Sequence, residues 1–260
     1  MISCEPPCLG IAIFPTTCRK AGPQNNDRKQ GTCMGMKSDF QSARLAASGM
    51  LMSLVVVPSL FALAVACFPA GHCGVSDGYS FSRHVVSDLG RTRLSNGAPN
   101  AVSCLLFSSA MAVAGFSCAL FWLSRRAFLK GVLARQVALF SGMCMSVSML
   151  AIGLTPLNLV PKIHDPITAV TAVAAAVAIL SVYSDGSDSL EKPRAKKIWL
   201  VLLAFVSAVW SVLVVLHHER LLAFRPWLPF WQKLLIATFV AWMSGQTVLL
   251  FRFRETDSAI

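Results

Sequence analysis

The chain alternates long apolar stretches with short polar ones. Six stretches, residues 45–67, 101–123, 136–155, 167–183, 198–217 and 234–251, contain no Asp, Glu, Lys or Arg. Crossing a bilayer's hydrocarbon core takes about 20 helical residues. A charge at the centre of such a helix costs about 2.5–3.5 kcal/mol. The pattern therefore predicts an all-α polytopic membrane protein, a bundle of six transmembrane helices occupying residues 41–254. The first stretch follows Arg44 and ends Ala64-Val65-Ala66-Cys67, flanks that also suit a signal peptide. It is long for an apolar signal region and five stretches follow, so it is read as a span. The fourth stretch is the shortest and richest in Ala, which predicts a central place in the bundle.

Residues 1–40 contain Pro6, Pro7, Pro15 and Pro23, then a polar run from Gln24 to Gly31. They are expected to form a disordered cytoplasmic tail, with 255–260 a short second one. Met34, Met36 and Met50 are alternative starts. Arg28, Lys29, Lys37, Arg44, Arg125, Arg126, Lys130, Arg135, Lys192, Arg194, Lys196, Lys197, Arg252 and Arg254 fall on one side of the predicted membrane. Arg83, Arg91, Arg93, Lys162, Arg220, Arg225 and Lys233 fall on the other. This twofold bias places both termini in the cytoplasm of a cell-membrane protein.

Composition agrees. Of 260 residues 55% are hydrophobic and 13% charged, against roughly 25% charged in soluble domains. The mean hydropathy is +0.62. The net charge of +11 is accounted for by basic inner loops, and no nucleic-acid partner is expected. Nine cysteines are too few for a disulfide scaffold. Cys67, Cys73 and Cys104 fall near the outer face, where one disulfide is compatible with an oxidising side but no pairing can be read.

Helices in lipid associate through small residues and interhelical hydrogen bonds. Such faces are expected at Ser108/Ala112 and Ala110/Ala114, Gly142/Ser146, Ala174/Ala178, Ala204/Ser207/Ala208/Ser211 and Ser244/Gly245/Gln246. The segment 221–231, with Phe224, Trp227, Phe230 and Trp231 broken by Pro226 and Pro229, reads as an interfacial anchor.

All five histidines, His72, His84, His164, His217 and His218, fall on the expected outer face. Asp77, Asp88, Asp165 and Glu219 accompany them. His and carboxylates are the usual zinc ligands, and neutral imidazole is a ready base. The first outer loop, 68–100, carries Arg83-His84-Val85-Val86-Ser87-Asp88-Leu89-Gly90-Arg91, so a His, a Ser and an Asp stand within five residues. Ser87 or Asp88 can equally cap a short helix, and Asp88 can pair with Arg91 or Arg93. Asp165-Pro166 has the form of an N-cap followed by Pro at the first helical position, leaving His164 just outside the fourth helix. Asn100 after Pro99 is expected to cap the second. His217 and His218 are adjacent and point about 100° apart on a helix. A metal would therefore draw on His84, His164 and one of this pair, with zinc the metal to consider.

The string His84-Val85-Val86-Ser87-Asp88-Leu89-Gly90, then Pro99-Asn100 and a Ser/Ala-rich span, resembles a prokaryotic six-helix family, domain of unknown function 998. That family is distantly similar to DRAM-type membrane proteins. Gly153, Pro156 and His164 match its stretch between the third and fourth helices. The resemblance runs over the six spans. The chain departs from the family's pattern in its long Cys-containing tail and the insertion 91–97. The resemblance implies a six-helix bundle with polar motif residues on one face, and no reaction.

The expectation is an integral membrane protein whose outer cluster, His84, Ser87, Asp88 and His164, binds a lipid headgroup or a partner, or stabilises the loops. The enzymatic alternative is a metal-assisted lipid hydrolase or transferase at the outer surface. A small-solute transporter is weaker, because no charge lies within the spans. Membrane lipids are the expected partners, and a homo-oligomer is compatible with the sequence.

Overall fold

The computed structural model describes residues 49–70, 78–185, 193–218 and 227–257. The N-terminal tail, its cysteines, Cys73, His72, Asp77, Glu219 and the last three residues lie outside them.

The described chain is helical. α1 spans Gly49–Ala66, α2 Ala101–Arg125, α3 Val132–Leu154, α4 Pro161–Ser184, α5 Pro193–His218 and α6 Leu228–Asp257. Among the described residues four helices, α1 to α4, are long and apolar enough to cross a membrane. Helices of this length and apolarity mark an integral membrane protein.

α3 packs against both α2 and α4, and α5 packs mainly against α6. The central helix is thus α3 and not the expected fourth: 44% of its apolar stretch is buried, against 28% for α4. Small residues make the contact between α2 and α3. A methyl group added at Gly142 would run into the Trp122 indole, and one at Gly115 would lie 2.8 Å from the Ser146 carbonyl. The Ser108 hydroxyl donates to the Gly153 carbonyl at 2.6 Å. Such close approach maximises dispersion contact where lipid offers no hydrophobic gain. Ala110, Ser146, Ala174 and Ala178 are buried as expected. Ala204 and Ala208 are exposed, while Leu203 and Val206 are buried. α5 thus buries bulky residues, while Ala204 and Ala208 of its small stripe face outward.

Two clusters fill the interior. One joins Trp122, Met145, Ala178, Val182 and Trp242 toward the end where α2 finishes. The other joins Ala64, Phe68, Leu89, Phe107 and Ile152 toward the end where α2 begins. Arg125 and Asp185 lie at the former end. Arg125, grouped above with the loop cations, is the last residue of α2 and fully buried. The buried Asp185 carboxylate accepts hydrogen bonds from the backbone N–H groups of Lys130 (2.8 Å) and Gly131 (3.3 Å). It thereby ties the α2–α3 turn to the end of α4.

α4 starts earlier than expected. Pro161 takes its first position, and the Val160 carbonyl accepts from the N–H groups of Ile163 and His164. Asp165 is therefore an exposed residue inside the helix and not its cap. Pro161 already supplies the preset φ of a first helical residue. Pro166, one turn later, forfeits one backbone bond.

Candidate functional site: a polar cap at one end of the bundle

Residues 78–100 fold over the end of the bundle where α2 begins and α3 finishes. The chain turns at Gly78 with φ +90°. It then runs to a 3-10 turn, Val86–Gly90, whose acidic residue holds it together. Asp88 accepts from the Val85 N–H at Oδ2 (3.1 Å), and its Oδ1 accepts from Arg91 Nε at 2.8 Å. The Asp88 side chain is 8% exposed. Capping and pairing, one of the two roles open to this residue, are what the geometry shows. Ser87 is half-buried in the same turn.

Gly90 of the motif is explained by contact and not by φ. An added methyl would lie 2.6 Å from two ring carbons of Phe107 on α2. Asn100 stands at the N-cap position of α2, but its side chain does not cap. Its Nδ2 donates to the carbonyls of Leu89 (3.2 Å) and Arg91 (2.8 Å), fixing the turn to the helix start. Its buried Oδ1 has no hydrogen-bond partner among the described residues.

His84 is fully buried. Its ring lies 5.3 Å from that of Phe68 and 5.2 Å from that of Tyr79, centroid to centroid. The Ser80 N–H donates to its Nδ1 at 2.8 Å. The neutral ring then carries its proton on Nε2. His164, also buried, has the opposite tautomer. Its Nδ1 lies 2.6 Å from the Thr155 carbonyl, an acceptor, so the proton is on Nδ1 and the lone pair on Nε2.

The cap is anchored by residues that the motif does not contain. Lys233, in the first turns of α6, donates from Nζ to the carbonyls of His84 (2.6 Å), Phe81 (2.9 Å) and Pro229 (3.3 Å). The same ammonium lies 5.5 Å from the Tyr79 ring centroid and 5.6 Å from that of Phe81, a cation–π arrangement. Burial pulls the Lys233 ammonium down to about 8, against the opposing attraction of Asp88. Burial, with Asp88 adding to it, pushes the Tyr79 hydroxyl up. Gln232 Oε1 accepts from the Val86 N–H at 2.7 Å. On the other side Asn158, in the α3–α4 junction, makes a paired contact with Thr92. Its Oδ1 accepts from the Thr92 N–H (2.9 Å), and its Nδ2 donates to the Thr92 hydroxyl (3.0 Å).

The structure thus places Ser87 and Asp88 in one turn with His84 two residues before it, while His164 lies in the first turn of α4 and not just outside it. Asn158 links the cap to the α3–α4 junction, whose Thr155 carbonyl meets His164. The backbones of His217 and His218 end α5, and their side chains lie outside the described residues. Among the described residues no group of three or more His, Cys, Asp or Glu could hold a metal ion. Cys67 and Cys104 are free thiols.

With this geometry in place, comparison with known families is informative. The sequence profile of the protein of unknown function family DUF998 matches residues 61–249, well over half of the chain. The chain belongs to this family. The matched DUF998 region includes the whole cap and both of its anchors, Asn158 and Gln232-Lys233. No curated protein and no solved structure matches at a significant level.

Proposed function

We propose that this DUF998 protein is a six-span protein of the cell membrane with both termini cytoplasmic, whose cap binds an acidic lipid headgroup at the outer surface. The apolar stretches 198–217 and 234–251, carried by α5 and α6, support the two further spans. The twofold bias of basic residues supports the orientation.

One observation carries the headgroup reading. The single carboxylate between residues 78 and 100 is Asp88, and it is turned inward onto Arg91 and the Val85 amide. Arg83 and Arg93 are exposed on the same cap. With Lys162 they outnumber Asp165, the exposed carboxylate of the described residues at this end. His84 favours this reading over metal-assisted catalysis. The Nδ1 lone pair of His84 is occupied by Ser80, so its neutral ring presents an N–H where a metal needs a lone pair.

Titration of the detergent-solubilised full chain with dihexanoyl phosphatidylglycerol, against dihexanoyl phosphatidylcholine, tests the reading. Near a surface each cation contributes about 1 kcal/mol toward an anionic lipid, roughly fivefold in affinity. Arg83→Gln with Arg93→Gln is expected to weaken phosphatidylglycerol binding by about 25-fold and to leave phosphatidylcholine unchanged. Equal binding of the two lipids, or no effect of the double substitution, would refute it.

A further inference from the structure

Two kinds of contact join the helices, and they divide α2 to α6 into two groups. α3 packs along both α2 and α4, closely enough at Gly115 and Gly142 that no methyl group fits. α5 and α6 pack mainly on each other, and α5 meets α4 less extensively. The Phe205 ring of α5 lies 6.2 Å from the Trp231 ring of α6, centroid to centroid. The pair is therefore joined more firmly to itself than to α2–α4.

Deep in the bundle, α6 meets the other group through rings. Trp242 is fully buried. Its ring lies 5.9 Å from Phe121, 6.2 Å from Trp122 and 6.4 Å from Tyr183, at interplanar angles of 70°, 37° and 53°. Its Nε1 donates to the Tyr183 hydroxyl at 2.8 Å. Offset and edge-on ring pairs are both favourable, so these rings can tilt past one another and stay in contact. A glycine contact between two backbones has no such freedom.

The other link is at the cap. Lys233 lies about 14 Å along α6 from Trp242, at 1.5 Å per residue. There Lys233 donates to the Phe81 and His84 carbonyls, and Gln232 accepts from the Val86 amide. The loop that receives these bonds belongs to the first group of helices. Asn100, Ser103 and Cys104 at the start of α2 hold the Leu89, Gly90 and Arg91 carbonyls, and Asn158 holds Thr92. Between Val86 and Thr92 the chain is braced by Asp88, bonded to the Val85 amide and to Arg91. Hydrogen bonds near the membrane surface can be exchanged for bonds to water, so this link opens more cheaply than the packed rings.

We infer that α5 and α6 rock as one unit against α2–α4, pivoting on Trp242, and that the cap is the latch that holds them through Gln232 and Lys233. This conformational device requires no ligand and stands apart from the headgroup reading.

Double electron–electron resonance on the full chain in detergent tests the inference. Spin labels are carried on p-acetylphenylalanine, which leaves the native cysteines untouched. One pair replaces Val212 of α5 and Leu159 of the α3–α4 junction, both exposed. Gln232→Leu with Lys233→Met cuts the latch and is expected to lengthen that distance by about 5 Å or more. Two reference pairs should stay within about 2 Å. Val102 with Leu159 reports on α2–α4, and Val212 with Phe230 reports on α5–α6; these positions are also exposed. Gln232→Ala alone removes a single bond and should give the same pattern at smaller amplitude, so the test survives if the double variant does not fold. Elution volume and helical circular dichroism verify the fold. An unchanged distance between 159 and 212 in a folded latch variant overturns the inference. So does an equal change in either reference pair, which would mark a general loosening or a separation of α5 from α6.

Discussion

Replacing Gly90 by Ala tests whether the motif glycine serves contact or flexibility. Its methyl would enter 2.6 Å from Cδ1 and Cε1 of Phe107. Carbon atoms in contact prefer about 3.5–4.0 Å, so the ring or the cap must retreat by about 1 Å. The ring has little room. Phe107 is 2% exposed and meets Phe61 edge-on at 5.9 Å. Overpacking of this kind costs about 1–3 kcal/mol. Against it, Ala restricts the unfolded chain and returns about 0.4–1 kcal/mol. The net expectation is a loss of about 1–2 kcal/mol, or a Tm lower by roughly 2–8 °C for a domain of this size. The assay is thermal unfolding of the detergent-solubilised protein. A rescue completes it: Phe107→Leu removes the ring, so the Gly90→Ala cost should shrink by at least half in that background. A Gly90→Ala protein as stable as the parent, or equally destabilised with and without the ring, refutes the steric account.

Three further outcomes follow from the same structure. Gly142→Ala, whose methyl would run into the Trp122 indole, should lower Tm by several degrees despite its better helix propensity. Gly245→Ala on α6, with nothing within 4 Å, should hold or raise it by the roughly 1 kcal/mol that propensity supplies; parallel melts compare them. The second concerns Lys233, whose folded pKa is about 8 against 10.5. Between those values the unfolded state binds more protons, so stability relative to Lys233→Met should rise with pH and be lost as pH falls through 8. Melts from pH 7 to 10 check the sign, and a difference that falls with pH contradicts it. The third is metal content: protein purified without chelator should carry no stoichiometric zinc by elemental analysis. Zinc that disappears in a folded His164→Ala variant would instead favour the hydrolase or transferase.

The apolar stretches mark hydrocarbon and not helix ends, which is why they placed the elements well and bounded them poorly. Arg135 lies inside α3, and Arg194, Lys196 and Lys197 lie inside α5. A charged residue pays to sit in lipid, not to be helical. The start of α4 was misplaced because Asp165-Pro166 and Val160-Pro161 carry competing signals, and the earlier proline prevails. In the cap, the bond between Asp88 and Arg91 was legible because three residues separate them. Lys233 meets the His84 and Phe81 carbonyls across 149 and 152 residues. No local pattern announces that contact, since a backbone carbonyl has no signature in side-chain sequence. Asn158 was hidden for the same reason. The buried Arg125 was read as a loop cation because it ends an apolar stretch, where exposure is the ordinary outcome.

Gln232 and Lys233 grip the cap by main-chain atoms: the Val86 amide and the Phe81 and His84 carbonyls. Such anchorage recognises the path of the loop, and the Tyr79 and Phe81 rings beside the ammonium are its side-chain part. Substitutions at exposed positions outside that grip, Arg83 among them, can therefore retune what the cap binds while the mooring to α6 survives.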